Sequence, residues 1–429
     1  MGVMKNTGVA WIGEIPLEWE LGKVKYGFDR KKEKSTESDP VVLSLARAGV
    51  KVRDISTNEG QLAASYEGYN PVEPNDLLLN PMDLISGANC SISHVSGVIS
   101  PAYMNLRARN GFDPRYYDYF FKTQYWSLAL FAHGKGVSFD NRWTLNESTL
   151  RDYFIPMPSY QEQQAIADYL DDRCSKIDEI IAEATASIEE YKELKQAVIF
   201  EAVTKGINYT GRTKKSRIFW AQDIPETWDV IKVARSFSVE LGKMLDEKRV
   251  SGERLRPYLR NADVQWFGIN IDNLNEMDFS EEEDERYTVK PGDLLVCEGG
   301  DIGKSSIVPD DFPDGIYYQK ALHRVRSYDN DSNSLKWLYY ILYVMSKYGF
   351  FNAFSGEKAT IQHLPAVTFN QIKFPMPKPE EKRTILKYLE EHIPEYDALI
   401  SEKQALIDDL QAYKKSLIYE VVTGKRRVV

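Results

Sequence analysis

One segment of the chain has residue types that could bind a phosphate group. It runs from Gly299 to Ser305 and reads Gly-Gly-Asp-Ile-Gly-Lys-Ser. A Walker loop needs a glycine five residues before its Gly-Lys-Ser and a helix after it, because the helix presents backbone amides to the phosphates. The residue at that earlier position is Glu298, and the Ser-Ile-Val-Pro that follows predicts a strand and a turn. The sequence therefore argues against nucleotide binding here.

Residues that could serve in catalysis or bind a metal are scattered. The five histidines show no metal-ligand spacing, and the chain has no HExxH, GxSxG or GxGxxG motif. The acidic run from Glu281 to Glu285 is typical of a solvated face. Cys90, Cys174 and Cys297 lie far apart, which argues against a disulfide or a cysteine zinc site and fits a reducing cytosol. We therefore expect a chain with no active site, metal or cofactor of its own.

Length and charge narrow the class of protein further. The 429 residues are enough for two or three domains, and the formal net charge is −10. This balance argues against a protein held on nucleic acid by bulk positive charge, and against a basic membrane-surface binder. No apolar stretch approaches the ~18–20 residues of a membrane span, and the N-terminus lacks a signal-peptide core. We expect a cytoplasmic protein with no membrane partner.

The elements that must position any functional residue are revealed by an internal repeat. The motif from Trp11 to Trp19 returns from Trp220 to Trp228, at an offset of 209 residues. The run Pro156-Met157-Pro158 returns as Pro375-Met376-Pro377, at an offset of 219 residues that holds through the segment that follows. The chain is therefore a tandem duplication. The regions between the two motifs resemble each other poorly, which indicates either divergent function or neutral drift after duplication.

Each copy ends in a segment that is predicted to be a long helix. Ser159 and Glu162 form an S-x-x-E capping box, and Gly206 and Gly424 are natural helix ends. Apolar residues recur at alternating spacings of four and three in both segments, with Lys195 and Lys403 interrupting otherwise matching stripes. They are Ile177, Ile181, Ala184, Ile188, Tyr191 and Val198 in the first, and Tyr396, Ile400, Ile407, Leu410 and Leu417 in the second. This spacing predicts a coiled-coil seam, although each helix could instead pack on its own domain.

A proline divides the second of these helical segments. Pro394 lacks a backbone N–H and clashes with the preceding turn, so we predict a short helix near 380–392 and a long one from about 395 to 422. The regions before the helices have mixed signals. Residues 75–79 and 292–296 each predict a turn that leads into a buried strand, and residues 118–121 and 337–340 open aromatic-rich helices. The fold class is therefore α+β.

The duplicated motifs resemble those of the specificity subunits of type I restriction–modification systems. The shared features are the Trp-Ile-Gly-x-Ile-Pro-x-x-Trp opening, the Gly-Asp-Leu-Leu strand start, the Pro-Met-Pro motif, the Gln161–Ile166 helix start, and helix ends that read Glu-Ala-Val-Thr-Lys-Gly and Glu-Val-Val-Thr-Gly-Lys. They cover essentially the whole chain in the family's order. The second copy departs at Glu381-Lys382, where the family usually has Glu-Gln, and we expect this position to lie on a surface helix.

The resemblance implies two target recognition domains that each read one half of a bipartite double-stranded DNA site. Two spacer helices would pair antiparallel with pseudo-twofold symmetry and set the gap between the half-sites. The corresponding boundaries are 1–158 and 218–377 for the recognition domains, 159–206 for the first spacer helix, 207–217 for a linker, and 378–429 for the second spacer helix and tail. The family's chain ends lie together, so the Lys425-Arg426-Arg427 tail would fall near the N-terminal segment.

The same resemblance implies the partners. They are two methyltransferase subunits and the restriction and translocase subunits, which would carry the chemistry of ATP, S-adenosylmethionine and magnesium. This chain would then be non-catalytic. The alternative is a coiled-coil assembly scaffold that holds two protein partners without binding DNA.

DNA contacts are predicted from side-chain chemistry, because Arg and Lys suit guanine or phosphate and Asn and Gln suit adenine. The candidates are Arg47, Lys51, Arg53, Asn89, Lys135 and Arg142 in the first half, and Arg254, Arg256, Arg260, Lys304, Arg324 and Lys358 in the second. Each could equally be an ordinary solvated charge. Since a net-acidic chain neutralises phosphates poorly, we expect the isolated chain to bind DNA weakly.

Overall fold

The computed structural model describes residues 3–56, 63, 65–136, 143–244, 252–354 and 363–428. The chain divides into two compact units, Met1–Thr185 with Gln404–Val429 (the first unit) and Ala186–Lys403 (the second unit). Both are α+β, as predicted. The boundaries between the units fall inside the two long helices, so each unit takes one half of each helix. The sequential domain boundaries therefore do not coincide with the compact units.

The described part of the first unit contains twelve short strands and four short helices besides its halves of the long helices. The strands are β1 (Met4–Asn6), β2 (Glu14–Pro16), β3 (Glu20–Lys23), β4 (Phe28–Arg30), β5 (Leu43–Ala46), β6 (Gly49–Val52), β7 (Asn70–Val72), β8 (Leu77–Leu79), β9 (Cys90–Ile92), β10 (Gly97–Ile99), β11 (Met104–Ala108) and β12 (Phe154–Met157). The helices are α1 (Val24–Gly27), α2 (Pro114–Trp126), α3 (Ala129–Ala132) and α4 (Glu147–Arg151), and the first long helix is α5 (Tyr160–Lys205).

The second unit has a similar set of elements. Its strands are β13 (Thr213–Lys215), β14 (Asp223–Pro225), β15 (Asp229–Lys232), β16 (Phe237–Leu241), β17 (Leu255–Leu259), β18 (Val264–Gln265), β19 (Gly268–Ile269), β20 (Asn275–Asp278), β21 (Leu294–Cys297), β22 (Ser305–Ile307), β23 (Tyr317–Tyr318), β24 (Leu322–Ser327) and β25 (Lys373–Met376). Its helices are α6 (Val233–Ser236), α7 (Asp284–Tyr287), α8 (Ser332–Lys347) and α9 (Ala366–Gln371), with 3-10 turns at Glu281–Glu283 and Phe350–Phe354; the second long helix is α10 (Pro379–Val422).

The central sheet has the same strand order in both units. It runs β4-β11-β8-β9 in the first unit and β16-β24-β21-β22 in the second, with every pair antiparallel. The inner strands β8 and β21 are buried along their whole length, and α2 and α8 pack on β9 and β22. The predicted buried strands and aromatic-rich helices are thus confirmed. The strand β22 also follows Lys304 where a Walker loop would need a helix.

The two repeated motifs close the frame around each insert. Each Pro-Met-Pro run begins in a strand, β12 or β25, that pairs antiparallel with the strand after the Trp motif, β3 or β15. The second tryptophan of each Trp motif, Trp19 and Trp228, is fully buried. This pairing brings the two ends of the insert together immediately before the long helix begins. The repeat therefore encodes the frame that holds a variable insert.

The predicted linker 207–217 is partly folded. Its residues Thr213–Lys215 form β13, which pairs with β14 as β1 pairs with β2 in the first unit. The frame of the second copy therefore begins before Trp220. The inserts diverge as expected: the first carries the hairpin β5–β6, and the second carries a three-stranded sheet β20-β17-β23 and the hairpin β18–β19.

The predicted helix break at Pro394 is wrong. The helix α10 is continuous from Pro379 to Val422 with Pro394 inside it. The proline ring is exposed, so the carbonyl that loses its amide partner can bind water, and Leu389 and Ile393 just before it are buried in the core of the second unit. Packing of the amphipathic face outweighs the local cost of about 3 kcal/mol. One of the two bonds of the predicted capping box on α5 is present, since the Glu162 amide donates to Ser159 Oγ at 3.3 Å.

The expectation that Lys382 lies on the surface is also wrong. Lys382 is 4 % exposed, and its Nζ donates to Ser334 Oγ at 2.7 Å and to Asp331 Oδ2 at 3.1 Å. Its counterpart Gln163 is also buried, and the Gln163 Oε1 accepts a bond from the Asp113 amide at 2.9 Å. Asp331 and Asp113 cap α8 and α2. In both units, the residue at this position therefore links the long helix to the N-terminal cap of a shorter helix, α8 for Lys382 and α2 for Gln163.

No helix in the described ranges is long and apolar enough to cross a membrane. The three cysteines are buried and unpaired. The two ends of the chain lie together within the first unit, as the resemblance implies, because Arg427 forms an ion pair with Glu18.

We predict that replacement of Lys382 destabilises the second unit. Burial alone would raise the pKa of Asp331, but hydrogen bonds from Lys382 and Asn333 hold that pKa below its ordinary value. Lys382→Met removes the buried donor and should lower the free energy of unfolding by about 2 kcal/mol, whereas Lys382→Gln, the residue of the first copy, should cost less. Urea denaturation measures the difference.

The control variant is Lys387→Met, because the Lys387 side chain is 77 % exposed and should contribute less than about 0.5 kcal/mol to the free energy of unfolding.

Since the pKa of Asp331 is lowered in the folded state, the Lys382–Asp331 pair stabilises the protein above the unfolded pKa of about 3.9. Its contribution is lost as the pH falls through the lowered pKa. A loss for Lys382→Met that persisted unchanged at still lower pH would contradict this account.

Candidate nucleic-acid interface

The long helices are held together by a reciprocal pair of salt bridges. In the first unit, Lys414 Nζ on α10 lies 2.6 Å from both carboxylate oxygens of Asp178 on α5. In the second unit, Lys195 Nζ on α5 lies 2.6 and 2.8 Å from those of Asp397 on α10. The 219-residue repeat relates Lys195 to Lys414 and Asp178 to Asp397. Each unit therefore shows the same antiparallel register, with the roles of the two helices exchanged.

The predicted seam residues lie along this pairing. Ile177, Ile188, Ile407 and Leu417 are buried, and Ile181, Tyr191, Val198, Tyr396, Ile400 and Leu410 are half-buried. Some of them also belong to the cores of the units, as Ile177 and Leu417 do in the first. The two interpretations of the stripes are thus compatible, because each helix packs on its partner helix and on the unit that it enters.

The two salt bridges differ in their surroundings. Lys195 is 6 % exposed, and the Phe267 ring of the hairpin β18–β19 lies 4.2 Å from its Nζ. The Lys414 side chain is 25 % exposed. In the sequence alone, Lys195 is an interruption of the apolar stripe. The repeat could have identified its role in a salt bridge, because it places a lysine and an aspartate at equivalent positions of both copies.

Four of the predicted DNA-contacting residues are engaged within the protein. Arg254 binds Asp284 through Nη1 at 2.7 Å and Nη2 at 2.5 Å, and bonds from Arg254 and Tyr317 lower the pKa of Asp284 to about 2. Arg260 makes a bidentate contact with Asp263 at 2.9 and 3.0 Å.

The other two engaged candidates are buried. Arg324 is 4 % exposed and binds Glu240 and the Thr288 carbonyl. Asn89 is 5 % exposed, and its Nδ2 donates to the Asp83 carbonyl. The structure therefore gives Asn89 and Arg324 a structural role in place of the predicted DNA contact, because a buried polar group must keep its hydrogen bonds.

The remaining candidates are more accessible. Arg47, Lys51, Lys135 and Arg256 are exposed, and Arg53 and Lys304 are half-buried. Arg47 and Lys51 lie on the hairpin β5–β6, and Arg256 lies on β17. Arg142 and Lys358 lie outside the described residues. The accessible candidates therefore include residues of both divergent inserts.

Both long helices carry an excess of acidic residues. α5 contains 5 Lys or Arg and 11 Asp or Glu, and α10 contains 6 and 10. Together they account for the whole net charge of −10, and the remainder of the chain has 43 residues of each sign. The first insert, residues 24–153, has 15 residues of each sign, whereas the second, residues 233–372, has 16 Lys or Arg and 22 Asp or Glu.

The long helices also expose apolar residues away from the seam. Ile180 and Leu194 on α5 and Leu399, Leu406 and Tyr413 on α10 are 37 to 50 % exposed. They are spaced by seven or fourteen residues, and Ile180 and Leu194 correspond through the repeat to Leu399 and Tyr413. A regular apolar row on a charged helix is typical of a second helix-packing face.

We predict that the buried member of the reciprocal pair contributes more to stability than the exposed one. Asp397→Lys places a second ammonium group beside the buried Lys195 and should lower the free energy of unfolding by about 2 kcal/mol. The double variant Lys195→Glu/Asp397→Lys should recover most of this loss. Asp178→Lys, at the exposed pair, is the matched control and should cost about 0.5–1 kcal/mol. Equal losses in urea denaturation at the two sites, or no recovery in the double variant, would disprove the prediction.

The sequence of this chain is similar to those of several known proteins. Residues 225–408 match the type I restriction modification DNA specificity domain. The type I restriction enzyme MjaX specificity subunit of Methanocaldococcus jannaschii is 24% identical, over 97% of this chain and 96% of its own length. The MjaVIII specificity subunit of the same organism is also 24% identical, over 83% of this chain and 80% of its own length.

Two solved structures share the fold. A chain from a structure of the complex assembly and conformational transition of the type I R-M system aligns with a TM-score of 0.73 at 14% identity, over 96% of this chain and 99% of that one. The HsdS subunit from Thermoanaerobacter tengcongensis aligns with a TM-score of 0.51 at 14% identity, over 96% of this chain and 98% of its own. The matched domain, the full-length relatives and this shared fold make the chain similar to the specificity subunits of type I restriction–modification systems over nearly its whole length.

Proposed function

We propose that this chain is the non-catalytic subunit that gives a type I restriction–modification complex its DNA sequence specificity. Each insert would read one half of a bipartite site, and the paired long helices would set the gap. The observation that carries the proposal is that one frame occurs twice in the chain and encloses two inserts, which share the strand order of a central sheet but differ in their further strands. An assembly scaffold needs the repeated frame, but it does not need divergent exposed inserts that carry cations.

The inserts have shapes suited to base reading. A two-stranded β-ribbon fits the major groove, where each base pair presents its own pattern of donors and acceptors. The hairpin β5–β6 exposes Lys51 on one strand and Arg47 at its turn, and β17 exposes Arg256. These residues support readout by the first and second insert, respectively.

The long helices are suited to a different task. Their acidic faces repel phosphate, so DNA affinity has to come from the inserts and from partner proteins. Their exposed apolar residues, Ile180, Leu406 and Tyr413 in the first unit and Leu194 and Leu399 in the second, would contact the apolar face of a basic amphipathic helix. We assign these residues in each unit to contact with a methyltransferase subunit. Methylation, ATP hydrolysis and cleavage, and the cofactors for them, would belong to those subunits and to the restriction subunits, in the cytoplasm.

An exchange of inserts tests the modular function. Lys23 of β3 pairs with Phe154 of β12, so residues 24–153 can be replaced by the corresponding insert of a relative while this ladder is preserved. The methylated site, mapped by sequencing modified adenines, should change in one half only. The matched control exchanges residues 233–372, whose flanking residues Lys232 and Lys373 also pair, and should change the other half. A change in both halves, or in neither, would refute the modular proposal, and an intact complex that leaves DNA unmodified would favour the scaffold.

Single substitutions test which side chains read bases. We predict that Lys51→Ala relaxes specificity at one position of one half-site, by roughly 10- to 100-fold, and that Arg256→Ala does so in the other half. Arg260→Ala is the control, because Arg260 is already bound to Asp263 and should affect stability more than specificity. Methylation of a library of variant sites measures each effect. Uniformly weaker methylation of all sequences would instead make Lys51 or Arg256 a phosphate contact.

A further inference from the structure

The hairpin β18–β19 carries two aromatic residues, Trp266 and Phe267, at its tip. Phe267 has a backbone φ of +65° and is 48 % exposed. A bulky side chain rarely adopts this left-handed conformation, because its Cβ crowds the backbone, and such strain persists where the surrounding contacts determine it. Glycine would relieve the strain at this exposed position. The presence of phenylalanine indicates that its ring is needed there.

The contacts of the tip explain the need. The Phe267 ring lies 4.2 Å from Lys195 Nζ on α5 and packs edge-on against Tyr339 of α8 at 5.6 Å. The Trp266 ring packs on Tyr339 and Tyr343 at 5.7 and 5.0 Å. Because Lys195 also binds Asp397, one small tip connects the divergent insert to both long helices. These contacts are cation–π and aromatic interactions, which depend on ring orientation as well as on burial.

The first unit has a hairpin in the corresponding place with a different tip. β5–β6 contacts β9 as β18–β19 contacts β22. Its tip is Arg47-Ala48, and it borders an open groove of about 1190 Å³ that is also lined by Trp126 and Lys414. Lys414 is the repeat counterpart of Lys195. The tip in the first unit therefore has no aromatic residue, and there the Trp126 ring at the end of α2 lies 5.9 Å from Lys415 Nζ on α10 instead.

We propose that Trp266 and Phe267 are positioning residues that fix the angle of the second recognition insert on the spacer helices and thereby help to set the gap. This inference rests on the proposed function. One base pair corresponds to about 3.4 Å along the DNA axis, so a small rotation of the insert is enough to shift its half-site by one position. The half-site sequence itself would not change, because the tip faces the helices and the exposed cation Arg256 lies elsewhere in the insert.

The test uses the full chain in complex with its methyltransferase subunits and a DNA library in which the two half-sequences are separated by gaps of varied length. The variants are Phe267→Gly, which removes the ring and relieves the strained φ, and Phe267→Leu, which keeps an apolar side chain without a π face. Both should reduce discrimination against gaps one base pair too long or too short by about tenfold, with both half-sequences retained. Phe267→Tyr should behave as wild type.

Leu128→Gly is the matched control. Leu128 is another exposed bulky residue with positive φ, +60°, but it lies before α3 in the first unit. It should leave gap discrimination unchanged. Unchanged gap preference in both Phe267 variants would overturn the inference while the proposed function stands. Loss of all methylation in both variants would overturn it as well, since the tip would then serve folding or assembly. A wild-type complex with no bipartite preference would instead refute the proposed function.

Discussion

The antiparallel pairing of the two long helices is the constraint on which the rest of this molecule depends. Each helix contributes one half to each compact unit, so neither unit has a complete core without a segment from a distant part of the sequence. The reciprocal salt bridges Lys195–Asp397 and Lys414–Asp178 give the same register in both units. Apolar packing alone would tolerate a shift along the seam, whereas a buried ammonium group with one carboxylate partner specifies which residues must be opposite each other.

Charge is distributed unevenly along the chain. The long helices are net acidic, the first insert is neutral overall and the second has six more acidic than basic residues, yet both inserts expose cations, Lys51 in the first and Arg256 in the second. The net charge of the chain is therefore a poor guide to nucleic-acid binding, because it averages surfaces of different charge.

Duplication leaves the frame nearly unchanged and lets the inserts diverge. The frame is fixed by buried residues such as Trp19 and Trp228 and by the strand pairs that lead into each long helix. Even outside the inserts, the two copies can differ where the new residue also finds hydrogen-bond partners. Gln163 and Lys382 occupy equivalent positions, and each bonds the long helix to the start of a shorter helix, α2 or α8. The aromatic tip at Phe267 shows the converse, since it is a feature of one insert that engages the common spacer.

The sequence by itself determined the duplication, the α+β class, the buried strands at residues 77–79 and 294–297, the two long helices and the resemblance to the type I specificity subunits. These depend on local patterns: periodicity, turn residues and repeated motifs at fixed offsets. Only the tertiary structure decided that the helix continues through Pro394, that Lys382 and Lys195 are buried, and that Arg254 and Arg260 are engaged by carboxylates. The physical reason is that the cost of a proline or of a buried charge is local, while the packing and the partner charge that offset it come from residues distant in the sequence.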